Sequence, residues 1–263
     1  MSKASFLEFL LLRSVPLLIL AFDAGCSSAL LVPNPIHAPL MEKKGNVRIE
    51  AMAGTNGGTA SIAVSPEQNL AFRGSYQLAW NKTETISKMG KVDFSRGNSL
   101  GEFAVGYYIP SFSLAKKSGM LEFYIGFDDG RVRGGFDPGV QNSVVQDITA
   151  HARSYFVEVN TGIRERLGKS QVGSDSAWSA IEYGSSFRFS NWQLTGLTYN
   201  GIPAPSEKKQ GNFMQATVFA RTPARGICFE AQAGFLFYVS NHPDPPSCGT
   251  AFVALGFHFM LFP

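Results

Sequence analysis

From Asn46 to the C-terminus, apolar and polar residues alternate with a period of two, the pattern of strands whose two faces meet different surroundings. Ile227, Phe229, Ala231, Ala233, Phe235, Phe237 and Val239 form one apolar series, with Glu230, Gln232 and Gly234 between them. The last segment repeats the rule: Ala251, Val253, Leu255, Phe257, Phe259 and Leu261 alternate with Gly256 and His258. Val47, Ile49, Ala51 and Ala53 oppose Arg48 and Glu50, and Phe103, Val105, Tyr107 and Ile109 oppose Glu102. Leu121, Phe123, Ile125 and Phe127 oppose Glu122; Tyr155, Val157, Val159 and Ile163 oppose Glu158 and Arg164; and Ile181, Tyr183, Phe187 and Phe189 oppose Glu182 and Arg188. The pattern predicts about ten strands, over 46–54, 58–65, 69–80, 99–109, 119–128, 151–165, 175–190, 212–221, 226–239 and 249–262.

Several of these segments exceed the usual globular strand of about 5–6 residues. Long alternating strands suit either a soluble barrel with an apolar interior or a membrane barrel with an apolar exterior and a polar lumen. Loop lengths favour the second. The connections 65–69, 110–118, 166–174 and 222–225 are short or moderate, and the alternate set 81–98, 129–150, 191–211 and 240–248 is mostly longer. An outer-membrane barrel has this asymmetry, with short periplasmic turns and long outer loops. The expected fold is therefore all-β: a transmembrane antiparallel up-and-down barrel of about ten strands over 46–263, located in the cell outer membrane.

Composition agrees. The 263 residues are 16% charged and 13% aromatic, with 27 Gly and 22 Phe, so disorder and coiled coil are excluded, and sheet is favoured over helix. A net charge of +3 gives no footprint for nucleic acid. Residues 1–25 read as a signal peptide, with the apolar run Val15 to Phe22 ahead of Ala24 and Gly25. Cys26 then stands where a bacterial lipobox places its lipidated cysteine, although Asp23 occupies the usual leucine position. Residues 26–45 form a proline-rich leader, expected to be lipidated and periplasmic. Cys228 and Cys248 fall at opposite ends of one strand hairpin, too far apart for a disulfide.

The polar face supplies the candidate chemistry. Arg48, Glu50, Arg73, Glu102, Glu122, Glu158, Arg164, Glu182, Arg188, Glu230 and His258 are expected to point into a narrow lumen and pair as a charged plug. The same residues could instead line a small ion- or solute-conducting channel. An omptin-like protease would need an acid–histidine set at the outer rim, where Asp128, Asp129, His242 and Asp244 are the candidates, but their order does not match that enzyme class. No catalytic set is assigned, no His/Cys spacing suggests a metal, and no cofactor is expected. Lys208-Lys209, in a proline-containing loop, could meet anionic lipopolysaccharide.

Following Cys26, Val32-Pro33-Asn34-Pro35, then Pro39-Leu40 and Lys44-Gly45, resembles the opening of small outer-membrane β-barrel lipoproteins of the Bacteroidetes type. Gly101-Glu102-Phe103-Ala104-Val105-Gly106-Tyr107-Tyr108 is similar to a strand of that group, and Ala254-Leu255-Gly256-Phe257-His258-Phe259 to its closing strand. The resemblance implies location rather than activity. Ser27, Ser28 and Ala29, with no acidic residue after the cysteine, imply a leader that stays periplasmic. The expected role is structural or accessory in an envelope protein complex. Outer-membrane lipid and lipopolysaccharide would surround the wall, and another envelope protein would meet the leader or the outer loops 129–150 and 191–211.

Overall fold

The computed structural model describes residues 35–55, 57–79, 82–87, 90–95, 97–114, 117–136, 146–166, 180–204, 206, 208–222, 227–239 and 251–261. Ten strands form the wall: β1 (Val47–Gly54), β2 (Gly57–Glu67), β3 (Leu70–Leu78), β4 (Ser99–Leu114), β5 (Lys117–Phe136), β6 (Gln146–Arg166), β7 (Ala180–Tyr199), β8 (Lys209–Arg221), β9 (Ile227–Tyr238) and β10 (Ala251–Leu261). Each pairs antiparallel with its neighbours in sequence, and β10 pairs with β1, which closes an up-and-down barrel with no free edge. A two-stranded hairpin, 82–87 with 90–95, lies between β3 and β4 in the chain as a sheet of its own and touches β5. Ile202–Pro203 folds back on β7 through Asn200 and Gly201, both at positive φ, as a tight two-residue turn requires.

The register fixes the barrel's shape. One line of paired residues runs from Ile227 through Phe259, Ile49, Ile62, Gly74, Phe103, Phe127, Tyr155, Asn191 and Asn212. It returns to β9 at Val239, whose N–H donates to the Asn212 carbonyl, twelve residues beyond its start. With about 3.3 Å of rise per residue and about 4.8 Å between strands, this stagger tilts the strands by about 40° and sets a backbone radius of about 10 Å.

The alternation decides which face goes where. Ile49, Ile62, Phe103, Tyr107, Phe123, Ile125, Val157, Phe187, Val218, Phe229 and Leu255 all point outward and are exposed. A soluble barrel with these residues as its core is thereby ruled out. From the tilt and rise, the apolar belt stands about 25 Å tall, the height of a bilayer's hydrocarbon band around such barrels. Inside, glycines face large side chains of neighbouring strands. A Cβ on Gly106 would lie 2.4 Å from the Tyr124 ring, on Gly126 2.5 Å from Phe156, and on Gly234 2.5 Å from Phe252. Part of the high glycine content is thus volume relief in a narrow lumen.

Two expected outer loops are largely strand. β5 continues to Phe136, β6 begins at Gln146, and β7 runs to Tyr199, so described parts of 129–150 and 191–211 extend the wall beyond the belt. There the phase of the alternation inverts. Val132, Ile148, Ala150, Leu194, Leu197 and Phe213 pack together inside, while Asp129, Arg131, Arg133 and Arg153 face outward. The exterior turns polar at this height as the apolar side turns in.

Candidate functional site

The lumen is the chemically distinctive region. Arg48, Glu50, Arg73, Glu122, Glu158, Glu182, Glu230 and His258 are buried in it, and Glu102, Arg164 and Arg188 face it while partly exposed. They form two groups. In the first, the guanidinium of Arg73 donates to both carboxylate oxygens of Glu158, at 2.6 and 2.9 Å, and its Nε donates to Glu102 at 2.8 Å. Arg188 joins the same two carboxylates, at 2.6 Å from Glu158 and 2.7 Å from Glu102. The Phe156 ring lies 4.1 Å from the Arg188 guanidinium, and the Tyr124 ring 4.6 Å from that of Arg73, adding cation–π attraction in a desolvated setting.

The second group lies nearer the end where the barrel's termini meet. Glu182 accepts from Arg221 and from Arg164, the latter at 2.9 Å. Arg221 also reaches Glu230 at 3.5 Å, which His258 Nδ1 approaches at 3.5 Å. Arg48 lies 3.6 Å from Glu42 and 3.9 Å from Glu182, yet none of its nitrogens makes an aligned hydrogen bond.

Between these groups runs a piece of the chain itself. Residues 36–41, assigned from sequence to a leader outside the barrel, are buried inside it. The Gln232 side chain receives the N–H of Ile36 at 3.1 Å and donates to its carbonyl at 2.9 Å. Arg73 donates to the His37 carbonyl at 2.5 Å, and Arg221 donates to those of Ala38 and Pro39 at 2.8 and 3.4 Å. The Met41 N–H donates to Glu122 at 2.7 Å, and Glu42 takes Arg164. His37 Nε2 stands 3.3 Å from Glu50. Leu40 adopts φ +49°, costly for a leucine, and its side chain fills the space that Gly162 leaves open. An extended peptide with no strand partner must find other partners for its backbone groups once buried. The inward arginines, glutamate and glutamine supply them. This is the physical reason the segment lies in the lumen rather than in water.

Several functional residues escaped the sequence reading. Arg221 is in phase with Thr217 and Gln215 on the inward face of β8, a signal obscured by its place beside the turn. His37 and Glu42 lie in a segment without periodicity. The rim candidates separate: Asp128 points inward, bonded to the Ser154 hydroxyl, while Asp129 points outward to Arg153 Nε at 3.0 Å. Consecutive strand residues face opposite sides, so the two carboxylates cannot share a substrate. His242, Asp244, Cys26 and Cys248 lie outside the described residues. Lys209 opens β8 rather than standing at a loop tip. Cys228 sits opposite His258 in the register, but at 0% exposure no substrate reaches it. On the outer wall, Ile181, Ala220, Phe229, Ala231 and Leu255 border a groove of about 280 Å³ within the apolar belt. Beyond the belt at the termini end, the Lys44 ammonium, 2.7 Å from Glu67, holds that carboxyl below its ordinary range.

No family model and no curated protein matches this chain.

Proposed function

We propose that the protein is an outer-membrane β-barrel lipoprotein, anchored through Cys26, with a structural or accessory role in an envelope protein complex. One observation carries this reading. A closed wall with a continuous apolar exterior surrounds a charged lumen that is occupied by the chain's own residues 36–41. The exterior suits lipid at the height of a bilayer core. The occupied lumen weighs against a conducting channel, because guanidinium groups that would line a water path are engaged with carboxylates and plug carbonyls. The scattered rim groups weigh against proteolysis. Pro39-Leu40, within the opening that resembles Bacteroidetes-type lipoproteins, includes the carbonyl held by Arg221 and the side chain seated at Gly162. With the plug segment enclosed, an envelope partner would meet, among the described residues, the projecting ends of β5, β6 and β7.

The test is membrane fractionation with metabolic palmitate labelling of wild type and Cys26→Ala, run as boiled and unboiled gel samples. Label confined to the wild type, in an outer-membrane protein that migrates faster before boiling, is the expected result. A soluble, unlabelled protein whose mobility ignores boiling would overturn the reading.

A further inference from the structure

The projecting wall carries a cluster of cations that the lumen does not use. On β5 and β6 the outward pair Phe127 and Tyr155 belongs to the apolar belt. The next outward pairs above it are Asp129 with Arg153, Arg131 with His151, and Arg133 with Thr149. Directly opposed side chains on such a pair lie about 5 Å apart and diagonal ones about 7–8 Å. Arg153 is diagonal to Arg131, and Arg133 follows Arg131 on the same face, so three guanidiniums and an imidazole line about 13 Å of wall, room for two phosphate groups. Two of the arginines are braced. Arg153 gives its Nε to Asp129, and Arg133 binds Asp147 through Nε at 3.1 Å and Nη2 at 2.7 Å. About half of each side chain is exposed, and Arg153 also interacts with Tyr155. His151 lies 3.3 Å from Asp129. Arg131 is exposed, with no carboxylate partner among the described residues. At the same height the neighbouring outward positions on β7 and β8 are Asn191, Gln193, Gln210 and Asn212, all uncharged. The arginines thus stand beside an uncharged stretch of described wall, directly above the exposed aromatics Phe127 and Tyr155.

We propose that this patch binds the phosphate groups of a phosphorylated glycolipid in the outer leaflet, with its acyl chains against Phe127, Tyr155 and the belt below. The proposal rests on the membrane reading given above. Guanidinium groups match phosphate oxygens in paired, planar fashion, and bracing by Asp129 and Asp147 lowers the ordering cost on binding. The position supplies the selectivity for lipid over a free anion, because only an amphiphile reaches belt and patch together.

The test uses the full chain in detergent micelles with bis-phosphorylated lipid A as probe, and binding is read by native mass spectrometry. Wild type should retain this lipid at least about tenfold better than the same lipid stripped of phosphate. Arg131→Gln/Arg133→Gln/Arg153→Gln should lose that preference while still migrating faster before boiling. Millimolar inorganic phosphate should leave retention unchanged. Equal retention of the two lipids by wild type, an unaltered preference in the triple variant, or displacement by inorganic phosphate would each overturn the proposal. Loss of heat-modifiable mobility in the wild type would instead sink the membrane reading beneath it.

Discussion

At the scale of single residues, Arg221 ties the plug to the wall. One buried guanidinium joins Glu182 and Glu230 and holds two plug carbonyls. Such a site is asymmetric in energy. The assembled network largely offsets its own desolvation, but removing one member leaves buried groups without compensation. Arg221→Met should therefore destabilise the folded barrel by about 3–5 kcal/mol, toward the lower figure because Arg164 still pairs with Glu182. Urea titration followed by gel mobility should show the loss, and an unchanged midpoint would contradict the assigned role. Leu40 illustrates the same economy. Its positive φ is tolerated because Gly162 offers a seat and because the adjacent Met41 N–H finds Glu122.

At the scale of the strand, an exposed apolar face on one side and a charged lumen on the other make the period-two pattern strong. Ile125, 65% exposed on the outer face of β5, stands near the middle of the belt. Ile125→Arg should cost about 2–4 kcal/mol, the depth-dependent penalty for arginine on a lipid face near the midplane. The matched variant Arg131→Ile, above the belt, should cost far less; similar losses from both would place the belt elsewhere. This environment also explains what sequence could reveal. The expected strands 46–54 and 226–239 lie within two residues of β1 and β9 at each end, because contrast between faces persists along their whole length. In β5 the expectation stopped at residue 128, where the contrast changes sign: Asp129, Arg131 and Arg133 face out, and Val132 faces in. An observer following one phase reads that inversion as a loop. The inward phase of Glu102, Glu158, Glu182 and Arg188 was legible for the same reason that β1 was. The occupancy of the lumen was not, since residues 36–41 carry no period and are held through their own backbone carbonyls and N–H groups, which no side-chain pattern records.

At the scale of the whole molecule, ten strands with a stagger of twelve residues give a cylinder too narrow to stay empty and wide enough for one extended peptide among the inward side chains. The chain solves this with its own N-terminal segment. It fills one end with plug and charge, and the projecting end with an apolar cluster of Leu100, Val132, Ile148, Leu194 and Phe213. The two fillings match the wall around them: polar inside where the exterior is apolar, apolar inside where the exterior is polar. Which face of the wall meets lipid is read most directly by fluorescence quenching with phospholipids brominated in mid-chain. With the folded Ile125→Trp variant reconstituted in such bilayers, the added fluorescence should be quenched strongly, while the inward, partly buried Trp192 keeps its emission. An added signal at position 125 untouched by bromine would contradict the assignment of this wall to the bilayer.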